Sequence, residues 1–225
     1  MRGVSDSSQR MSIGYLQALR ILRSTFRDLP LNAQMHILVR FLSCPFLRTL
    51  HVVPKGGRVL DIGAGHGTFA RLAVEQGARQ VVAVEPDLRK SLLPIAANGV
   101  RFVAGFDEAI RGTFDAVVIY DATYRIPLDE REQLYRRVFE RVRPGGLFVL
   151  KDLDPDHRLK MSWARLQEWL SDTFLKISLG GGFIYEGRQS IRDRLGRIGF
   201  VDFQAEEIDA GYPHSHIIYT ARKPL

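Results

Sequence analysis

The feature that most constrains this chain is a glycine-rich turn directly after a short apolar strand. The apolar run at 59–62 predicts a buried strand, and Gly63, Gly65 and Gly67 follow it at alternate positions. Such glycines let the backbone bend sharply and approach a ligand at places where a Cβ would intervene. The spacing differs from the dinucleotide fingerprint G-x-G-x-x-G, which would need glycine at Thr68. The pattern therefore predicts a strand, a ligand-binding loop and the start of a helix.

Acidic residues on either side of the turn indicate what the loop binds. A second apolar run at 81–84 ends in Glu85, which a βαβ unit would place at the tip of the neighbouring strand, within reach of ribose hydroxyls. Asp61 precedes the turn and can face a cation. The turn holds no Lys or Arg, and no G-K-[ST] follows it, which disfavours a pyrophosphate. A nucleoside with a positive or zwitterionic group is favoured, and S-adenosylmethionine fits.

Four motifs resemble those of the class I S-adenosylmethionine-dependent methyltransferases, within the broad group around the quinone-biosynthesis (type 11) methyltransferases. They are L-D-I-G-A-G-H-G at 60–67, V-E-P-D at 84–87, F-D-A-V-V at 114–118 and R-P-G-G at 143–146, in the family's order. The resemblance is close over residues 55–155 and loose over the remainder to the C-terminus. It implies S-adenosylmethionine as the cofactor, but these motifs say little about the methyl acceptor.

The resemblance also implies a set of cofactor-binding residues. The loop and Asp61 would surround the methionyl part, Glu85 would bind the ribose, and Asp107 would meet the adenine amino group. Phe106 would pack on the adenine or belong to the core, and Asp107 has a helix-capping alternative. The expected set is Asp61, Gly63, Ala64, Gly65, Gly67, Glu85, Pro86, Phe106, Asp107 and Tyr120.

Asp121 and His157 are the candidate catalytic residues. Methyl transfer from a sulfonium mainly requires a close, aligned nucleophile, and a general base is needed only if the acceptor keeps its proton. Asp121 would act as that base or orient the acceptor, and a turn-capping role is equally open. Acids at 121, 152, 154 and 156 raise the alternative of Mg²⁺, but such loop acids are commonly solvated, and we expect no metal.

The chain alternates apolar strands with helical patterns, which predicts an α/β fold with a parallel sheet covered on both faces. The resemblance implies a Rossmann-like, seven-stranded, mostly parallel sheet with an antiparallel last strand. Strands are predicted at 58–62, 80–85, 100–104, 114–120, 146–151, 200–208 and 214–222. Helices are predicted at 67–76, 87–97, 128–142, 159–177 and 188–197.

Two further helices precede the first strand and predict an N-terminal helical cap. Helix 13–29 carries an apolar row of Leu16, Leu19, Leu22, Phe26 and Leu29, and helix 31–42 carries one of Met35, Leu38, Val39 and Leu42. We divide the chain into an N-terminal arm and cap, 1–54, and a methyltransferase domain, 55–225, with a cap-like insertion at about 153–187. In the resembled family such additions cover the pocket mouth and help shape the acceptor site.

These features favour methylation, on oxygen or carbon, of a small-molecule or lipid-like acceptor. A net charge of +7 keeps an RNA or protein methyltransferase as the alternative. DNA is not expected, because Tyr-Asp-Ala-Thr at 120–123 stands where enzymes that methylate amino nitrogens carry Asn-Pro-Pro and an aromatic. Helix 13–29, with arginines beside its leucines, predicts peripheral contact with an anionic membrane. The polar N-terminus is not a signal peptide, so we expect a cytoplasmic protein.

Overall fold

A seven-stranded mixed sheet forms the centre of the structure, a computed structural model that describes residues 13–87, 99–105, 110–155 and 184–225. The strands are β1 (Arg58–Ile62), β2 (Gln80–Val84), β3 (Val100–Val103), β4 (Phe114–Tyr120), β5 (Val142–Leu153), β6 (Val201–Glu207) and β7 (His216–Arg222). In space they lie in the order β3-β2-β1-β4-β5-β7-β6. β7 pairs antiparallel with β5 and β6, whereas the other neighbours pair parallel. This confirms the predicted Rossmann-like sheet with its antiparallel last strand.

The described helices begin and end at residues that favour those places. Pro30 precedes α2 (Leu31–Ser43) and stops α1 (Tyr15–Phe26). Pro127 precedes α5 (Leu128–Arg141), whose first turn carries Asp129 and Glu130. Gly77, at φ +116°, follows α4 (Thr68–Glu75) in the left-handed conformation that ends many helices. The helices are α1 (Tyr15–Phe26), α2 (Leu31–Ser43), α3 (Phe46–Thr49), α4 (Thr68–Glu75), α5 (Leu128–Arg141) and α6 (Arg188–Ile198), with short 3₁₀ helices at Leu50–Val52 and Thr123–Arg125. The helices predicted at 87–97 and 159–177 lie outside the described residues.

Both faces of the sheet are buried except at the exposed edge strand β6, and the alternation of side chains along β1 decides which residues reach each face. Val59 belongs to the hydrophobic cluster that includes α1, α2 and α4, whereas Leu60 and Ile62 belong to the cluster under α5 and α6. Successive side chains of a strand point to opposite faces, so Asp61 points to the same side as Val59. The acid at the end of β1 therefore faces the cap.

β5 is longer than predicted. We expected residues 144–146 to form a turn into a strand at 146–151, but the strand runs from Val142 to Leu153. Phe114 pairs with Val142 and Ala116 with Leu147, so the Pro-Gly-Gly segment forms an irregularity inside the strand. Gly145 takes φ +70° there, and extra residues on one strand are accommodated as a bulge.

The predicted buried face is largely confirmed for α1 and wrong for α2. Of the first predicted row, Leu22 and Phe26 are buried, Leu19 and Leu29 pack against the core, and Leu16 is exposed. α1 also buries Ala18. α2 buries only Ile37 and Phe41, and the whole predicted row of Met35, Leu38, Val39 and Leu42 is exposed. The prediction for α2 was wrong because the helix is apolar on two sides, and periodicity cannot choose between them.

The cap contacts the sheet domain through polar as well as apolar groups. Arg48 donates to the carbonyls of Ile208 and Ala210 at 3.1 and 2.7 Å, and α1 packs against α4. The division into 1–54 and 55–225, with its insertion, stays a prediction. Among the described residues, no helix is long and apolar enough to cross a membrane.

We expect Arg131→Ala to destabilise the fold, because Arg131 is buried in α5 and joins it to the segment before α6. Its guanidinium donates to the Ile126 carbonyl at 2.9 Å, to the Ile184 carbonyl, and to Glu186 at 3.4 Å. Removing one partner of a buried ion pair should lower the free energy of unfolding by about 3 kcal/mol.

Arg136→Ala is the matched control, because Arg136 lies on the same helix in an exposed pair with Glu132. Its loss should cost less than about 0.5 kcal/mol. Urea denaturation measures both values, and equal losses would contradict the structural role given to Arg131.

Candidate functional site

The glycine loop is held against the tip of β2. The amides of Gly63 and Ala64 both donate to the Val84 carbonyl, at 2.9 and 3.0 Å. Gly63 has φ +75°, and a Cβ there would lie 2.7 Å from the Cβ of Ala122. Gly67 has φ +79°, and its Cβ would lie 2.7 Å from the Phe102 ring. A side chain at either position is therefore excluded by conformation and by space.

Glu85 braces the same loop from the end of β2. Its Oε2 accepts a 2.8 Å hydrogen bond from the Gly65 amide, and its Oε1 accepts a 3.0 Å bond from the Asp87 amide. The side chain is buried. The structure thus places Glu85 at the strand tip beside the loop, as predicted, and adds an anchoring contact that the sequence did not reveal.

Asp61 is a buried acid whose charge is not fully compensated. The residue is 1% exposed, and its Oδ2 has no hydrogen-bond partner among the described residues. Burial raises the pKa of the Asp61 carboxyl to about 7, with Arg40 opposing the rise and Glu85 adding to it. A buried carboxylate is costly without a cation or donor. This orphaned oxygen is what a site for a cationic ligand would contain.

A small cleft of about 60 Å³, partly open to solvent, lies over Asp61 and the loop. Of the predicted cofactor-binding residues, Asp61, Gly63, Ala64, Gly65 and Tyr120 line it. Gly67 precedes α4 at the end of the loop, and Pro86 is exposed beside Glu85. Phe106, Asp107 and His157 lie outside the described residues.

The cap supplies lining residues that the sequence did not single out. His36, Ile37 and Arg40 of α2 close one side of the cleft, and the His36 ring lies 5.5 Å from that of His66 in the loop. Phe46, Thr68 and Phe69 complete the lining, and Phe69 packs 4.4 Å from the buried Tyr120 ring. Spacing from the motifs could not identify the α2 residues, because they approach the loop only through tertiary packing.

Asp121, the candidate base, is engaged by two cations. Its carboxylate lies 2.5 Å from Lys151 Nζ and 3.3 Å from Arg40 Nη2. Burial would raise the pKa of Asp121, yet Lys151 and Arg40 lower it to about 2. Because an effective base has a pKa near the working pH, this environment favours an orienting role over proton transfer. The residue also has φ +51°, an uncommon conformation for a non-glycine residue.

Asp152, Asp154 and His216, near this site, also have partners. Thr123 donates to Asp152, and burial raises the pKa of Asp152 to about 6. Arg188 pairs with Asp154 at 2.5 Å. His216 Nε2 donates to the Ser43 carbonyl at 2.9 Å, and burial together with Lys151 lowers the pKa of His216 to about 3. Within the described part of the chain, no three His, Cys, Asp or Glu side chains form a group that could hold a metal.

Residues 33–205 match the model of a family described as a methyltransferase domain, which covers most of the chain. The chain belongs to the S-adenosylmethionine-dependent methyltransferases. This confirms the resemblance from the four motifs, and with it the cofactor. An orphaned acid oxygen and a loop that excludes side chains are consistent with that cofactor, and Asp61, the loop and Glu85 are the residues that would hold it.

Two relatives share part of their sequence with this methyltransferase. The ribosomal protein L11 methyltransferase of Symbiobacterium thermophilum is 27% identical over 131 residues, which are 53% of this chain and 40% of the relative. The tRNA U34 carboxymethyltransferase of Haemophilus influenzae is 29% identical over 124 residues, 47% of this chain and 36% of the relative. The matches therefore span less than half the length of either relative.

Solved structures share the fold at low identity. A S-adenosylmethionine-dependent methyltransferase from Mesorhizobium loti has a TM-score of 0.62 at 20% identity, covering 80% of this chain and 98% of that one. A Burkholderia thailandensis 1,6-didemethyltoxoflavin-N1-methyltransferase, solved with its substrate and S-adenosylhomocysteine, has a TM-score of 0.57 at 22% identity, covering 94% and 91%. These likenesses establish the shared fold only.

We expect the affinity for S-adenosylmethionine to fall as the pH drops through 7. The Asp61 pKa of about 7 means that the carboxyl is largely protonated below that pH, and a cation prefers the ionised form. If only the ionised form binds, the dissociation constant should rise about tenfold between about pH 8 and about pH 6. Calorimetry should also show proton release on binding near neutral pH.

Asp61→Asn is the control. The variant cannot ionise at position 61, so any pH dependence of binding that remains comes from other groups, such as those of the ligand. Its affinity should be low and should vary little with pH beyond the ligand's own contribution. The same pH dependence in this variant as in the wild type would exclude Asp61 as the responsible group.

Proposed function

We propose that this methyltransferase transfers a methyl group from S-adenosylmethionine to a small-molecule or lipid-like acceptor, on an oxygen or carbon atom. The observation that carries the proposal is the position of α2 over the cofactor cleft. His36, Ile37 and Arg40 lie across from the glycine loop, so the cap narrows the approach to Asp61 and Tyr120. A partly covered cleft suits a small ligand better than the surface of a folded macromolecule.

The proposed cofactor-binding residues of the described part lie at the ends of β1, β2 and β4 and in the glycine loop. Asp61 at the end of β1 would face the positively charged methionyl part, and the loop amides would lie along it. Glu85 at the tip of β2 would receive the ribose hydroxyls, and Tyr120 at the end of β4 would lie beside the sulfonium. Phe106 and Asp107 keep their predicted place at the adenine. The bound cofactor supplies a methyl group already activated by its positive sulfur.

The chain's own contribution is to hold the acceptor close to that methyl group and in line with it, since positioning is the main requirement of such a displacement. The ion-paired Asp121 would orient the acceptor, held in place by Lys151 and Arg40. His157 keeps its predicted catalytic role.

An RNA or protein substrate is the second candidate. It is supported by the names of the two relatives, which act on ribosomal protein L11 and on tRNA. The net charge of +7 adds to it, because basic proteins attract polyanions. The short extent of both matches and the cap over the cleft favour the small acceptor.

We expect Glu85→Ala to weaken the binding of S-adenosylhomocysteine by roughly tenfold, from the loss of hydrogen bonds to a charged group worth ~1–3 kcal/mol. Glu75→Ala, which removes an acid from α4 away from the cleft, should leave the affinity unchanged. Calorimetry measures both.

Binding of the deoxyribose form of the same ligand distinguishes two roles of Glu85, a contact with the ribose hydroxyls and the anchoring of the loop. If Glu85 grips the ribose, the substitution should cost much less affinity for the deoxy form than for the parent ligand. An equal loss for both would leave Glu85 as an anchor of Gly65 only, and the ribose role would be rejected.

The acceptor class is tested by incubating the protein and labelled S-adenosylmethionine with a cell extract, then separating lipids, RNA, proteins and small molecules. We expect the label in the lipid or small-molecule fraction, with Asp61→Ala as the inactive control. Label in RNA or protein that depends on the wild-type enzyme would establish the second candidate instead.

A further inference from the structure

α2 presents an apolar row to solvent on the side away from the cleft. Leu31, Met35, Leu38, Val39 and Leu42 are exposed by 73, 52, 40, 57 and 50%. At 100° per residue these positions fall within one narrow stripe of the helix, whereas Ile37 and Phe41 occupy a different, buried face. A contiguous exposed apolar row of this kind marks an interaction surface.

α1 lies beside α2 and exposes a basic row. The two helices run in opposite directions, since the Tyr15 ring lies 5.3 Å from that of Phe41, and Gln34 Nε2 donates to the Leu29 carbonyl at 2.8 Å. α1 buries Ala18, Leu22 and Phe26, which leaves the arginines on its other side exposed. These arginines are Arg20 and Arg23 of the helix and Arg27 directly after it. The basic and apolar rows are thus both exposed, on neighbouring helices of the cap.

The positive charge of the cap helps to decide which kind of partner this surface binds. Residues 13–54 contain five arginines, no lysine, and Asp28 as the single acid. A second copy of the chain would bring the same positive charge to the contact, which disfavours self-association. RNA would satisfy the arginines but not the apolar row. An anionic lipid surface satisfies both, with apolar side chains in the acyl boundary and arginines at the headgroups.

We propose that the outer face of the α1–α2 pair, formed by the α2 apolar row and the α1 arginines, docks on anionic lipid. It differs from the membrane contact predicted from the sequence, which used leucines of helix 13–29 that α1 partly buries. The opposite side of α2 carries His36 and Arg40 into the cleft. Docking would therefore leave the cleft about one helix diameter, ~10 Å, from the lipid surface. The use of that position to receive a lipid-like acceptor rests on the proposed function, whereas the docking itself does not.

The test is sedimentation of the full chain with vesicles of phosphatidylcholine alone or mixed with phosphatidylglycerol. We expect binding to the anionic vesicles that weakens with salt. The double variant Leu38→Asp, Val39→Asp should lower the partition coefficient by roughly tenfold or more, because it removes two apolar anchors. Arg20→Gln and Arg23→Gln should each lower it about fivefold at low salt.

Val201→Asp is the matched control, because Val201 is exposed by 44% on the edge strand β6 and belongs to another surface. It should bind vesicles as the wild type does. Every variant should also bind S-adenosylhomocysteine normally, which shows that the fold is intact and keeps this test separate from that of the proposed function.

Three results would overturn the inference. The first is no binding to anionic vesicles. The second is binding that the double variant leaves unchanged. The third is a wild-type dimer in sedimentation equilibrium that the double variant converts to monomer without any vesicle binding, which would make the row a contact between two copies.

Discussion

The bonds between the glycine loop and the tip of β2 are the contacts on which the site depends. The Val84 carbonyl holds the loop at Gly63 and Ala64, and the Glu85 carboxylate holds it at Gly65. Without these tethers the three glycines would leave the loop conformationally free, because they lose more entropy on ordering than other residues. With them the loop is fixed over Asp61, whose charge the surrounding protein opposes only in part. The glycines allow the loop its conformation, and the bonds to Val84 and Glu85 hold it there, so the site is formed before a ligand binds.

The cap joins this site to the outside of the molecule through a single helix. Ile37 and Phe41 pack inward, Arg40 reaches Asp121, and the apolar row faces solvent. Each of these faces uses a different third of the helix surface, so a change on one side need not disturb the others. This arrangement accounts for the absence of a simple amphipathic pattern in α2.

Much of the fold and part of the site could be predicted from the sequence. Six of the seven strands were placed within two residues of their observed bounds, and β5 extends further than predicted. The parallel strands were recognisable because buried parallel strands are short apolar runs bounded by turns. The positions of Asp61 and Glu85 beside the loop could be predicted because motif spacing fixes residues at the ends of neighbouring strands. The inward face of α2 and the role of Arg40 were missed, since a helix that is apolar on two sides gives no sign of which side is buried. Likewise, the ion pairs that hold Asp121 join β4 to β5 and the cap, contacts that local sequence does not encode.

The insertion of β7 between β5 and β6 has a consequence for how the molecule is made. During synthesis β5 and β6 leave the ribosome before the strand that joins them, so each presents an open edge in the meantime. Unpaired edges invite pairing with other chains, and incomplete sheets are a frequent origin of aggregation. Only when β7 is made can it pair with both strands and cover their edges. Nascent chains halted before His216 should therefore depend on chaperones far more than chains that contain β7.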